Sequence, residues 1–410
     1  MAELTAARPE VSGLPLVLKF GGSSFAELDG YARVARYAAH RVREEGRPLV
    51  VVVSAMSGTT GALQQLLHEV SPDPPANAAA MLLTAGETVS VALLAAALNA
   101  EGIPACPLTA EGTGLLGDGR ADRARLVRAD PGVLCAALEN WPVLVVPGGQ
   151  AADSAGRTVM LGRNSSDLSA VALAGALGAT GCELFSDVPG VCTADPHLVP
   201  AARTLERISY AGVRRMARYG AKVVQDSAVD WAERTGVLLH CRPLPWTAGA
   251  GESRGTVVGA GPAAAVVVVH GSDEVWDFPA GHERHVAVEK LRSQGCPSTT
   301  VDFGGVHYLV VRPEGRAVVR LSGAGRRHDE LCLITTIGRD GAASHTLVPA
   351  AEADAEAIRR HEVLYPGPPR PAGPSAPAKA RSAHSTVLAG RATPVARAAP
   401  VTGERKPSEG

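Results

Sequence analysis

The sequence predicts an α/β protein, a mainly parallel sheet sandwiched by helices, followed by a small ferredoxin-like α+β module. Three observations carry this prediction. Apolar, strand-length runs alternate with helix-favouring segments from Pro15 to Cys241, the order that builds parallel sheets through crossover helices. One run, Leu49 to Val53, is apolar without alternation, as a strand buried on both faces requires. At Gly255 to Gly261 the composition shifts to Gly, Ala and Pro, and beyond it the pieces follow strand, helix, strand, strand.

Length and composition bound the rest. A chain of 410 residues exceeds one ordinary domain, and 46% apolar residues suffice for more than one core. The expected layout is a disordered lead at 1–14, the main α/β unit at 15–258, a shortened module at 259–364 and a disordered Pro/Ala-rich tail at 365–410. Forty basic against 41 acidic residues leave a net charge of −1, which supplies no bulk attraction to nucleic acid or to an anionic membrane. The 7 cysteines are odd in number and never form a C-x-x-C pair, so they read as reduced core residues and not as a disulfide frame or zinc site. Acids at Glu3 and Glu10 and the lack of an apolar h-region argue against a secretory leader, and no apolar run approaches a membrane span. A soluble cytoplasmic protein is expected.

The first strand, Pro15 to Phe20, stops at Gly21-Gly22-Ser23-Ser24. Paired glycines let backbone N–H groups approach an oxyanion, with Lys19 at the edge; a plain glycine turn beside an exposed Lys is the alternative. After a helix over Glu27 to Glu45, the run Leu49 to Val53 exits at Ser54. Two such exits suggest a shared rim of the kind where open α/β sheets bind ligands. Met81 to Leu98 predicts one long buried helix whose single charge is Glu87. A buried carboxylate implies a cationic partner such as a ligand's ammonium, unless it serves the helix's first turn. Gly112 to Gly117 matches G-x-G-x-x-G, but no helix follows, so a plain loop is expected instead of a dinucleotide site.

Trp141 to Val146 is the next strand, and Val159 to Ala170 then reads as strand, tight loop and helix N-terminus. Ser165, Ser166 and Asp167 are positioned to cap that helix, and its free N–H groups suit a small anion. Arg163 would add a two-pronged grip on a carboxylate or, alone, be a solvated Arg. Cys182 to Ser186 is a short strand delivering Asp187 at its tip, with Asp195-Pro196 beyond; these suit a nucleotide or metal-phosphate site, or simply initiate turns. Glu206 to Tyr219 predicts an amphipathic helix, Gly220-Ala221-Lys222 brings a second lone Lys, and Val237 to Cys241 closes the sheet. In the module, strands are expected at Ala263 to His270, Ser298 to Phe303, Val306 to Arg312, Ala317 to Leu321 and Leu331 to Ile337, with a helix near His282 to Gln294.

Taken together, Lys19 to Phe25, Ser54, Thr84 to Glu87, Leu161 to Asp167, Ser186 to Gly190, Asp195-Pro196 and Gly220 to Lys222 resemble, in order and spacing, the amino acid kinase family, and within it the aspartate kinases. The resemblance runs from about Leu16 to Arg242. The second unit is similar to the ACT-type regulatory modules of such kinases, with room for one module and part of another. A homodimer paired through these modules is a further family expectation.

What the resemblance implies is phosphoryl transfer from ATP, with Mg²⁺, to an amino acid's side-chain carboxylate, giving an acyl phosphate such as 4-phospho-L-aspartate. A carboxylate is already ionised at neutral pH, so attack needs charge neutralisation and in-line positioning and no general base. Lys19, Gly21, Gly22 and Ser23 would hold the transferring phosphoryl group. Lys222, Ser186, Asp187 and Asp195 would serve the nucleotide side, and Asp187 would orient a lysine or bind Mg²⁺ with the nucleotide. On the substrate side Arg163 would clamp the α-carboxylate and Glu87 the ammonium, while Ser54, Ser166 and Asp167 complete the pocket. Four positions depart from the pattern: Asn164-Ser165 replaces two glycines, Cys192 a common Tyr and His197 a common Arg. These departures motivate two other expectations, a catalytically silent amino-acid sensor and a kinase of a specialised pathway.

Overall fold

The computed structural model describes residues 12–162, 164–221, 223–247, 254–293, 296–312 and 325–367. Arg163, Lys222, the strand expected at Ala317 to Leu321 and most of the expected lead and tail lie outside them. β1 (Leu16–Phe20) leads into α1 (Asp29–Glu45) and β2 (Leu49–Val53), followed by α2 (Thr59–Val70), α3 (Ala76–Leu83), α4 (Ala85–Ala100) and β3 (Ala105–Pro107). The hairpin β4 (Leu115–Arg120) and β5 (Arg123–Ala129), then α5 (Gly132–Leu138), β6 (Val143–Pro147), β7 (Gln150–Ala152) and β8 (Thr158–Met160), bring the chain to α6 (Ser166–Ala176). β9 (Gly181–Ser186), β10 (Arg207–Ser209), α7 (Tyr210–Arg218), α8 (Asp226–Thr235), β11 (Leu238–Pro243) and β12 (Thr256–Gly259) complete this part.

Eight of these strands form one sheet in the order β10-β12-β11-β9-β1-β2-β6-β3, parallel from β11 to β3. All five residues of β2 are buried. On one face Val17, Val50, Val52, Leu144 and Val146 pack against Leu168 to Leu173 of α6 and Val229 of α8. On the other, Leu18, Phe20, Val51, Val53 and Val145 pack against Val34 and Val42 of α1 and Leu94 and Leu98 of α4. Burying each such side chain contributes about 1.5–3 kcal/mol, so this double-sided core is what holds the strand ends in register. A bidentate ion pair from Arg41 to Glu183, at 3.0 Å on both oxygens, ties α1 to β9.

The structure corrects several expectations. The helix expected from Glu206 starts at Tyr210; Arg207–Ser209 is a strand on β12, and the Ser209 hydroxyl accepts the Gly212 N–H at 3.1 Å, which fixes the helix start. The predicted boundary at Gly255 contains β12, which adds to β11 antiparallel, so β11 does not close the sheet. Gly117 is in a strand, not a loop: a Cβ there would lie 2.8 Å from Val159 Cγ2, so only glycine lets the β5-β4-β7-β8 sheet pack this closely. The single long helix expected over Met81 to Leu98 is two, α3 and α4, meeting at Thr84. Contrary to the expectation that no apolar run is long enough, Ala76–Ala100 is long and apolar enough to cross a membrane by length and composition; its 18-residue apolar window is 44% buried here, and α4 packs on α1, β3 and β6.

The C-terminal part holds β13 (Val266–Val269), β14 (Glu274–Phe278), α9 (Gly281–Ser293), β15 (Ser298–Phe303), β16 (Val306–Val311), β17 (Arg326–His328), β18 (Leu331–Ile337), β19 (Ala343–Pro349) and α10 (Ala353–Leu364). These make two sheets, β15-β16-β14-β17 and β13-β18-β19, both antiparallel. The expected βαββ order assigned β13 as the first strand of one module. In fact β14 takes that place, and β13 pairs with β18, so the four-stranded module is inserted between them. β14 escaped notice because Glu274 and Asp277 interrupt its apolar pattern. Before β1, Ser12 donates its N–H to Gly46 O at 2.8 Å, and after α10 the Tyr365 hydroxyl donates to Ala265 O at 2.8 Å, so both expected disordered segments contain anchored residues.

Candidate active site

Register brings the strand exits together. Phe20 is level with Val53 of β2 and Phe185 of β9, and Val53 with Pro147 of β6. Gly21, Ser54, Gly148 and Ser186 therefore leave the sheet along one edge, the position where open α/β sheets receive ligands. Cross-links fix this rim: Ser54 N–H donates to Phe20 O at 3.1 Å and Gly148 N–H to Val53 O at 2.9 Å.

Lys19, one residue from the end of β1, points to the α6 face. Its Nζ lies 2.7 Å from Asp167 Oδ1 in the first turn of α6, and both side chains are only 14% exposed. The same ammonium folds over Gly21, where a Cβ would sit 3.4 Å from Nζ. At Gly22 a Cβ would lie 3.2 Å from Ala55 O, so the paired glycines allow the exits of β1 and β2 to approach. The Ser54 hydroxyl donates to Ser166 Oγ at 3.0 Å. Lys19, Gly21, Gly22, Ser54, Ser166 and Asp167 are thus assembled in one place.

The helix N-terminus differs from expectation in an informative way. Among the described residues no side chain caps α6: Ser165 at the N-cap donates its hydroxyl to Gly162 O at 2.5 Å, Ser166 receives Ser54 and Asp167 pairs with Lys19. The first-turn N–H groups thus receive no bond from the Ser165 side chain, and the positive end of a helix dipole favours an anion there. Asn164 is the non-glycine residue with positive φ among the described residues, at +60°. That backbone explains why glycine suits the site, and Asn tolerates the left-handed region better than most residues. The Ser165 side chain, 1% exposed with its residue, is turned inward and adds no bulk to the rim.

Glu87 stands in the first turn of α4, half-buried, and its Oε1 accepts the Ala55 N–H at 3.2 Å. Burial pushes its carboxyl up to about 7, opposed by hydrogen bonds from Ala55, its own backbone and Gln150. Among the described residues no cationic side chain forms an ion pair with it. Sequence reading missed Gln150, whose amide donates to Thr84 O at 2.8 Å and pins the α3–α4 junction beside Glu87. It also missed Gly148, where a Cβ would overlap Ser166 Cβ, and Gly149, whose N–H reaches Ser169 Oγ at 2.9 Å. The Gly-Gly pair was the available signal.

On the nucleotide side of the sequence pattern, Ser186 and Asp187 leave β9 half-buried, with Ser186 Oγ 3.4 Å from the Val188 N–H. Asp195 is exposed and its carboxylate accepts the His197 N–H at 2.9 Å, the turn-forming role. Cys192 is buried, bridged to Thr204, and burial pushes its thiol up to about 11, so it presents no side chain to a ligand. Ser23 lies in the 3-10 turn Gly22–Phe25 beside the rim.

Fold and rim define an α/β protein whose parallel strands end along one shared rim of glycine, hydroxyl and charged residues. Residues 15–242 match the Amino acid kinase family, and the chain belongs to that family. An aspartokinase of Thermus thermophilus is 44% identical over 227 residues, 55% of this chain and 56% of that protein, and one of Mycolicibacterium smegmatis 41% over 228 residues, 55% and 54%. The chain thus spans about half the length of the curated relatives it matches. Escherichia coli aspartokinase III in complex with lysine and aspartate shares the fold, with TM-score 0.64 and 19% identity over 86% of this chain and all of that one. Aspartate kinase from Synechocystis gives 0.52 and 26%, over 87% and 71%.

Proposed function

We propose that the protein is an ATP-dependent kinase of an amino acid side-chain carboxylate, converting L-aspartate, or a close analogue in a specialised pathway, to its 4-phospho derivative. The observation that carries this is the pairing of a cationic, glycine-lined corner at Lys19 with a buried acid, Glu87, that has no cationic partner among the described residues. The 44% identity to an aspartokinase supports the same substrate class.

In this reading a side-chain carboxylate oxygen attacks the γ-phosphorus of ATP, the new O–P bond forms, and the bond to the β,γ-bridging oxygen breaks to release ADP. Lys19 and the Gly21 and Gly22 N–H groups neutralise the equatorial oxygens. Asp167 holds the Lys19 ammonium in position. Glu87 takes the substrate ammonium, and Arg163, by its place in the sequence after β8, takes the α-carboxylate. Ser54 and Ser166 close the pocket between them. Ser186, Asp187, Asp195 and Lys222 are assigned to the nucleotide. Mg²⁺ would arrive with the nucleotide phosphates, with Asp187 as its protein contact.

The layout proposed is a catalytic unit over about 15–258 followed by two ACT-like sheets, a cytoplasmic location and a homodimer formed through those sheets. Release of ADP from Mg-ATP across a panel of amino dicarboxylates tests the function, and absence of turnover with every member would overturn it.

A further inference from the structure

We propose that Arg312, from the C-terminal sheets, is a positioning residue for the nucleotide-phosphate side of the reaction; the inference rests on the kinase reading. α7 ends in a left-handed turn: Gly220 has φ +94°, its N–H donates to Ala217 O and the Ala221 N–H to Met216 O, both at 3.0 Å. This is the Schellman arrangement, and it demands glycine at position 220. Lys222, assigned to the nucleotide phosphates, is the second residue after that glycine.

The turn is gripped from outside the family-matched segment 15–242. Arg312, just after β16, donates from Nη1 to the Ala217 carbonyl at 3.3 Å, the same carbonyl that closes the turn. Its Nε lies 3.7 Å from Asp273 Oδ2, and that oxygen also lies 2.9 Å from His270 Nδ1. His270 Nε2 in turn lies 2.9 Å from Thr335 Oγ1, which lies 2.9 Å from His345 Nδ1, and the His345 ring stands 5.4 Å from that of Tyr219. A Cβ at Gly220 would come 2.6 Å from Arg312 Nη2 and 2.9 Å from His270 Cε1. One chain of side chains, joined by hydrogen bonds and by the Arg312–Asp273 ion pair, therefore runs from β18 and β19 to the turn preceding Lys222. A cation at the C-terminus of α7 also complements the helix dipole.

Solution affinities of Mg²⁺ with a non-hydrolysable ATP analogue, and separately of L-aspartate, test this on full-length protein by calorimetry. Arg312→Ala is expected to weaken nucleotide binding about tenfold, the size of one lost hydrogen-bonded contact, and to leave aspartate affinity unchanged. Arg312→Lys, which keeps the charge opposite Asp273 but loses the planar fork, should fall between. Gly220→Ala should also weaken nucleotide binding, and the Gly220→Ala/Arg312→Ala double variant should lose less than the product of the two because they share a contact. Wild-type and Arg312→Ala proteins that bind nucleotide equally would overturn this proposal alone, as would a parallel loss of aspartate affinity, the mark of a general structural role. Wild-type protein that binds no nucleotide would overturn the kinase reading and this proposal with it.

Discussion

The ammonium of Lys19 lies 2.7 Å from the carboxylate of Asp167, joining the end of β1 to the first turn of α6. This pair holds a cation beside Gly21 and Gly22, where the kinase reading places the transferring phosphoryl group. Lys19→Met is expected to lower kcat about 100- to 1000-fold, the scale of losing one transition-state charge contact. It should also destabilise the fold, because Asp167 is left buried and unpaired. The Lys19→Met/Asp167→Leu double variant should regain thermal stability without activity. Recovery of activity in the double variant would exclude the role given to Lys19.

Glu87 makes stability depend on pH. Its folded carboxyl sits at about 7 against an ordinary 4.5, raised by burial, so the folded state prefers the neutral acid. The stabilisation is complete below about 4.5 and is lost as pH rises through about 7, by on the order of 3 kcal/mol for a group this buried. Denaturant titrations should therefore show Glu87→Gln gaining on the wild type between pH 5 and 8, with no gain at pH 4. A constant difference across that window would contradict the assignment. Binding an amino acid ammonium should release a proton near pH 7, seen as a buffer-dependent heat.

Gly148 is expected to tolerate no side chain. A methyl group there meets Ser166 Cβ directly, with Ser166 Cα and Val53 O both at 3.0 Å. Gly148→Ala should cost about 1–3 kcal/mol by overpacking and, because Ser166 must shift away from Ser54, should raise KM for the amino acid. Unchanged melting and kinetics would show that the β6 exit relaxes without cost.

At Asn164 the backbone, not the side chain, sets the preference. With φ at +60°, Asn164→Gly should be neutral or stabilising by up to about 1 kcal/mol, and Asn164→Val destabilising by about 1–2 kcal/mol. Thermal unfolding of the two variants checks the order, and a more stable Val variant would contradict it.

Much of this was legible in the sequence because the evidence was local. β1 and β2 announce themselves as largely apolar runs ended by small residues, β9 as a short run ending at Ser186-Asp187, and the shared rim follows from parallel pairing. The split of α3 from α4 was not legible, since Thr84 offers no Gly or Pro, and the junction is held by Gln150 from 66 positions away. Lys19 and Asp167 were both recognisable, but for separate ligands; that they pair is a tertiary fact created by α6 crossing β1. Polar strands such as β14 and β19 lack a pattern because one face meets solvent and charge. The grip of Arg312 on Ala217, 95 positions apart, likewise leaves no periodic trace.

The central claim, transfer of phosphate to an amino acid carboxylate, is tested most directly by trapping the product. Purified protein incubated with Mg-ATP, L-aspartate and hydroxylamine should yield aspartyl hydroxamate in step with ADP, and Lys19→Met should yield neither. Aspartate binding without hydroxamate or ADP, here and with other amino dicarboxylates, would contradict the account and identify a sensor in a kinase fold.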